Sequence, residues 1–332
     1  MYKARQGSAA RLRPRAGAKE GGIRGNGFAY RKNARRKRLL LAAVALAAVA
    51  GGAAGLPRLA GAAPGAGRGV DRGELLALWE AGSFAEARLL AAGGLASRPL
   101  DYFLLTMAGF SAYQLGVSQV SGLRAAAYFD ECVRALRKAM LLREAEGDGR
   151  LFYVLGKAYF HKGDGFADSA VRHLERARAL GHPASDIPEF LGLAYAAIGD
   201  YESSVIAFAE ALEASRPSAL LLISIAESYA ALGELEKARA YLVRSVGVSV
   251  DSRATLRARL FLADVLRALG DADGAIAQLS GVLAESGENA EARFQMGEVF
   301  ALQGDVVRAR AEWRRAVAAD PAHMGARARL SI

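Results

Sequence analysis

Catalysis needs a positioned acid, base, nucleophile or metal ion, so the residue types that can supply one are the place to begin. His161 and His173 flank the turn Gly163-Asp164-Gly165-Phe166, but no third ligand stands at a spacing that would complete a zinc site. Asp164 and Asp168 bring only two carboxylates to that turn, where a calcium ion wants about six oxygens, and the turn reads as solvated. Gly22, Gly25 and Gly27 sit in a stretch with almost nothing to bury, so they cannot form the dinucleotide loop their spacing suggests. A phosphate loop, a nucleophile elbow and paired metal histidines are missing from the sequence. The chain therefore reads as non-enzymatic, with no cofactor and no metal. A hydrolytic or carbohydrate-handling activity in the insertions would call for paired acids, and residues 117–124 hold none.

What remains are side chains suited to holding another polypeptide. These are the aromatic residues Phe103, Phe110, Tyr113, Tyr153 and Phe160, the amine of Lys157, and the carboxylates of Glu227, Asp264 and Glu298. Their use depends on the elements that carry them, and those elements repeat. From Gly192, Tyr195 follows three residues on, Gly199 seven, Ser204 twelve, Phe208 sixteen and Ala211 nineteen. Ala226, Ala263 and Gly297 open three further copies, the last running through Phe300, Gly304, Ala309, Trp313 and Ala316 to Pro321. Gly156 opens another, with Tyr159, Gly163, Ala170, Leu174 and Ala177 after two inserted residues. Upstream, Gly109 and Gly116 keep the opening spacing, and about four extra residues precede Ala125, Phe129 and Cys132. Leu75, Gly82, Ala87 and Ala91 make a shortened first copy.

This order of small, aromatic, alanine, aromatic and proline residues resembles the tetratricopeptide repeat family. The resemblance covers residues 73–321 as about seven copies. It implies an all-α solenoid of helix-turn-helix units, a right-handed superhelix whose first helices line a concave groove. A small residue at Gly156, Gly192, Ala226, Ala263 or Gly297 lets the helices of a pair approach, and the aromatic residue or leucine one turn later is expected to fill the gap. The glycines from Gly163 to Gly304 end the first helices. Cys132 falls in a small-residue slot and reads as a buried, inert thiol; as the one cysteine it excludes an internal disulfide. Residues 322–332, with Arg327 and Arg329, read as a capping helix.

Helical spacing from the repeat glycines sends Tyr153 with Lys157, Ile223 with Glu227, Leu260 with Asp264 and Phe294 with Glu298 to the groove, where the three acids would form one ladder. Phe110, Tyr113, Tyr153 and Phe160 would grip the apolar end of a basic or amphipathic partner segment. Family members that grip a C-terminal carboxylate do so with Lys, Arg and Asn, and the acids argue against that use at this end.

The chain has 332 residues, with 44 Lys+Arg against 34 Asp+Glu, and the imbalance is local. Residues 1–38 carry 13 basic side chains and one acid, Glu20, which leaves 31 basic against 33 acidic in the rest. The body is thus no basic nucleic-acid platform. The tail lacks aromatic interleaving beyond Phe28 and Tyr30, so nucleic acid is not the expected partner. Residues 1–38 read as a disordered cytoplasmic tail. The charge-free run 39–56 would make a helix of about 27 Å, at the short end of a membrane span. It reads as a transmembrane signal anchor. The alternative is a secretory signal peptide cleaved near Ala60-Gly61-Ala62, for which a 38-residue basic leader is unusually long. Either way the positive charge before the run keeps the tail inside and exports the body. Ala43, Ala47, Gly51 and Gly55 form a small-residue seam through which a homo-oligomer could assemble. Residues 57–72 read as a flexible linker. The resulting expectation is a single-pass protein of the cytoplasmic membrane. Its solenoid would hold a peptide or protein on the periplasmic, extracytoplasmic side, within secretion, cell-wall, pilus or periplasmic flagellar machinery.

Overall fold

The computed structural model describes residues 70–331, Ser215 excepted. The tail 1–38, the apolar run 39–56 and the linker up to residue 69 lie outside the described residues, while Arg72, assigned to the linker by sequence, already begins a helix. Among the described residues every regular element is helical, and no helix is long and apolar enough to cross a membrane.

The helices form seven pairs and a remainder. They are α1 (Arg72–Glu80) with α2 (Phe84–Ser97), α3 (Tyr102–Val117) with α4 (Gly122–Ala139), α5 (Gly149–Lys162) with α6 (Ala167–Ala179), and α7 (Ile187–Ile198) with α8 (Tyr201–Ala214). Then come α9 (Ala219–Ala231) with α10 (Leu235–Val248), α11 (Ser252–Ala268) with α12 (Ala272–Glu285), α13 (Ala290–Leu302) with α14 (Val306–Ala319), and α15 (Met324–Leu330). Each helix packs on the next, and from α3 to α13 each first helix also touches the first helix of the following pair. Second helices make no comparable contact with one another. The first helices therefore form a continuous row.

The turns explain why the chain pairs. Gly199 and Gly304 sit at φ 87° and 80°, a left-handed conformation that a β-carbon resists. The acid that follows caps the next helix: Asp200, Asp271 and Asp305 accept the backbone N–H of Ser203, Gly274 and Arg308 at 3.0, 2.8 and 2.9 Å. Within a pair, a β-carbon added at Gly192 would stand 2.5 Å from the Phe208 ring, and one at Gly297 would stand 2.4 Å from the Trp313 indole. The residue that fills the gap is thus supplied by the second helix. The aromatic one turn along the first helix lies beside the glycine and cannot face it. Tyr195, expected in the gap, is half-buried and donates its hydroxyl to Glu175 Oε1 at 2.8 Å.

The second pair corrects the register read from spacing. Helices α3 and α4 run to 16 and 18 residues, and Gly116 lies inside α3, packed on the Phe129 ring. Gly109 faces Leu136, 2.5 Å from where its β-carbon would be. Cys132, Leu136 and Ala139, all fully buried, therefore fill the slots assigned to Ala125, Phe129 and Cys132. They match Ala170, Leu174 and Ala177 in the next pair and Ala309, Trp313 and Ala316 in the last. Both triplets have the same small-large-small spacing two turns apart, and packing selects the later one. Cys132 stays buried in either register, and burial pushes its thiol far above the ordinary range.

Candidate functional site

The expected groove residues on α5 are placed by its N-terminus. Asp148 Oδ1 accepts the Leu151 N–H at 3.0 Å, and Oδ2 accepts the hydroxyl of Tyr102 from α3 at 2.6 Å, so the cap also ties two first helices together. From there Arg150, Tyr153, Lys157 and His161 follow at helical spacing along one face. Lys157 Nζ donates to Asp186 Oδ2 at 2.7 Å and to the Tyr153 hydroxyl at 2.8 Å, while that hydroxyl donates to Asp186 Oδ1 at 2.8 Å. The ammonium lies 4.3 Å from the centre of the Phe190 ring and 5.9 Å from that of Tyr113. Phe160 meets Phe190 edge-on at 5.3 Å, and His161 stacks on Phe129 at 5.0 Å.

Four of the residues named from sequence, Tyr113, Tyr153, Lys157 and Phe160, are thus gathered around one cluster. Phe129, His161, Asp186 and Phe190 complete it; by sequence Phe129 stood in a repeat slot and His161 beside the turn, while Asp186 and Phe190 were missed. Aligning the repeats would have flagged Asp186, because it occupies in the fourth copy the slot that Arg150 occupies in the third. Burial sets the electrostatics. His161 is pushed down to about 4 by burial and then by the Lys157 charge. Burial together with the Asp186 carboxylate holds the Tyr153 phenol far above its usual range. Glu189, at the start of α7, is raised by burial and by repulsion from Asp186.

Several expectations change here. Phe110 and Tyr113, expected to touch a partner, are 4% and 7% exposed. The Arg150 guanidinium covers Phe110 at 4.7 Å and the Lys157 ammonium lies over Tyr113, so these rings sit beneath the cations and back the surface. The acid ladder is neutralised. Glu227 pairs with Arg257, Asp264 with Arg267, and Glu298 with Arg329, whose Nη2 reaches Oε2 at 2.6 Å. Arginines on α11 and α15 supply these partners, so the acids do not make an uncompensated acidic groove. Ile223 is fully buried rather than on the groove, and Phe294 packs against Gly325 of α15. The histidines of the expanded turn diverge as well, since His173 Nδ1 lies 2.7 Å from the Ser169 carbonyl, away from the His161 cluster.

Two models of the tetratricopeptide repeat match residues 153–219 and 223–287, and 266–330, which together are more than half of the chain. The chain belongs to the tetratricopeptide repeat family. Its tetratricopeptide repeats are similar to a solved structure of the C-terminal part of a repeat-containing protein from Cytophaga hutchinsonii. The two are 16% identical over 78% of this chain and 99% of that one, with a TM-score of 0.57, a likeness of fold. Weaker likenesses include YrrB, described as having an unusual peptide-binding site, at 20% identity, 60% and 100% coverage and a TM-score of 0.49. Another is the pilF protein of Pseudomonas aeruginosa at 15% identity, 68% and 95% coverage and a TM-score of 0.48. None of the curated proteins compared with the chain matches it. Proteins of this fold generally mediate protein–protein interaction, and the fold is typically a non-catalytic scaffold.

Proposed function

We propose that this protein is a membrane-anchored scaffold on the extracytoplasmic side, where its row of first helices holds a peptide or protein segment within an envelope assembly. The observation that carries the reading is the face shared by α3, α5 and α7. There a half-buried aromatic surface, Tyr153 and Phe160 with His161, is studded with a lysine, an arginine and a carboxylate. Side chains of this kind, apolar in body and polar at the tip, dominate the energetics of peptide contacts. The alternating charge and ring surface gives orientation as well as area. Anchoring through 39–56, with the tail on the cytoplasmic side, rests on the charge-free run and its basic flank.

Photo-crosslinking tests the surface. A photoreactive amino acid replacing Phe160 on the first-helix face should yield a discrete adduct in cells, and the same group replacing Ile206, which is 63% exposed on second helix α8, should not. Adducts from position 206 alone would move the partner to the second helices.

A further inference from the structure

The cations of the first-helix row differ in what they face. Lys157, Arg257, Arg267, Arg293 and Arg329 each have a carboxylate partner. Arg150 has none among the described residues. It is exposed, and its guanidinium lies 4.7 Å from the centre of the Phe110 ring and 5.7 Å from that of Trp79. Arg253, Arg259 and Arg327 also lack a carboxylate partner, but no ring backs any of them among the described residues. Trp79 belongs to α1, Phe110 to α3 and Arg150 to α5, so the guanidinium rests where three successive first helices meet. Trp79 is held in turn by Phe84, at 4.9 Å, and by Phe110, at 6.3 Å.

A guanidinium held over aromatic rings does not spend its in-plane N–H donors on them, and its planar fork matches a carboxylate with two parallel hydrogen bonds. The rings below lower its freedom before anything binds, which reduces the ordering cost of binding. The acids that could compete are engaged: Asp148 holds Tyr102 and the α5 cap, and Asp186 holds Lys157 and Tyr153.

We infer that Arg150 receives an acidic side chain, Asp or Glu, of the bound segment, whose neighbouring apolar residue packs against Trp79. The inference rests on the peptide-holding reading above and assigns the partner's chemistry. It replaces the basic partner that unpaired acids would have implied. Charge complementarity selects this occupant, because Arg150 is a cation on an aromatic floor with no ion-pair partner among the described residues, while the neighbouring Asp148 and Asp186 already accept hydrogen bonds from side chains and backbone of the chain itself. The C-terminus of the segment is not required, since the site is an open face along the row.

The full chain in detergent, screened against a bead library of random octapeptides amidated at the C-terminus, tests this. Retained peptides should carry Asp or Glu next to an aliphatic or aromatic residue. Changing that acid to its amide should weaken binding tenfold or more on the unmodified chain. Arg150→Gln should do the same, Arg150→Lys should lose part of the affinity because the fork is gone, and Arg253→Gln should change it less than twofold. The peptide change needs no altered protein, so a folding defect in a variant leaves the test standing. Retained peptides that are basic or uncharged, or acidic ones that bind Arg150→Gln equally well, would overturn the acidic-partner inference alone. Retention of no peptide would overturn the peptide-holding reading with it.

Discussion

At Gly297 a β-carbon would stand 2.4 Å from the Trp313 indole nitrogen, whereas at Gly122 it would meet nothing within 4 Å. Gly297→Ala should therefore lower stability by about 1–3 kcal/mol through overpacking, and Gly122→Ala should be neutral or stabilising by up to about 1 kcal/mol. Urea titrations monitored by circular dichroism give both values, and equal midpoints would refute the pairing of α13 with α14 described above. His161 makes a second residue-level prediction. Its imidazole is held neutral in the fold, pushed down to about 4, while the unfolded chain takes up the proton near 6.5. Its contribution is therefore fully present above about pH 6.5 and is lost as pH falls toward about 4, at a cost of about 3 kcal/mol. In His161→Gln the difference in unfolding free energy between pH 7 and pH 4 should shrink by that amount. An unchanged difference would mean that the ring is not buried against Phe129.

Helix α15 has seven residues, too few to be stable alone, and its place is decided by what it covers. Ala326 is fully buried against the last pair, Gly325 lies on the Phe294 ring, and Arg329 reaches Glu298. Ending the chain at Pro321 should expose part of Trp313, now 7% exposed, and destabilise the last pair by about 2–4 kcal/mol. In a Trp79→Phe background, where Trp313 is the remaining tryptophan, a red shift of its emission reports the exposure. An unshifted spectrum with an unchanged melt would show that α15 seals nothing.

For the whole molecule the informative quantity is where charge resides. With 13 basic side chains before residue 39, and 31 basic against 33 acidic after it, the charge that would orient the chain under the proposed topology belongs to the tail. A reporter fused after Ile332 that is active only in the cytoplasm should stay silent, and bright signal would reject the proposed topology. Reversing the basic cluster at Arg35, Arg36, Lys37 and Arg38 to Glu should raise that signal, because the bias toward a cytoplasmic tail would be lost.

The sequence by itself determined the repeated unit, because its evidence is local. Turn glycines, small slots and the apolar positions between them recur at spacings that only helix pairs satisfy, from Leu75 to Trp313, and the capping helix follows from the residues after Pro321. Tyr153 and Lys157 could likewise be set on one face, since four residues bring side chains together on any helix. What spacing could not supply were relations between residues far apart in the chain. Ala125-Phe129-Cys132 and Cys132-Leu136-Ala139 offer the same pattern, and only the approach of α4 to Gly109 selects the second. The acids Glu227 and Glu298 were visible, but their arginines stand 30 and 31 residues away, and three-dimensional stacking alone shows the charge is spent. For the same reason Arg150, inconspicuous as one basic residue among 44 in the sequence, is distinguished only by the tertiary structure, which sets two aromatic rings beneath it and gives it no ion-pair partner among the described residues.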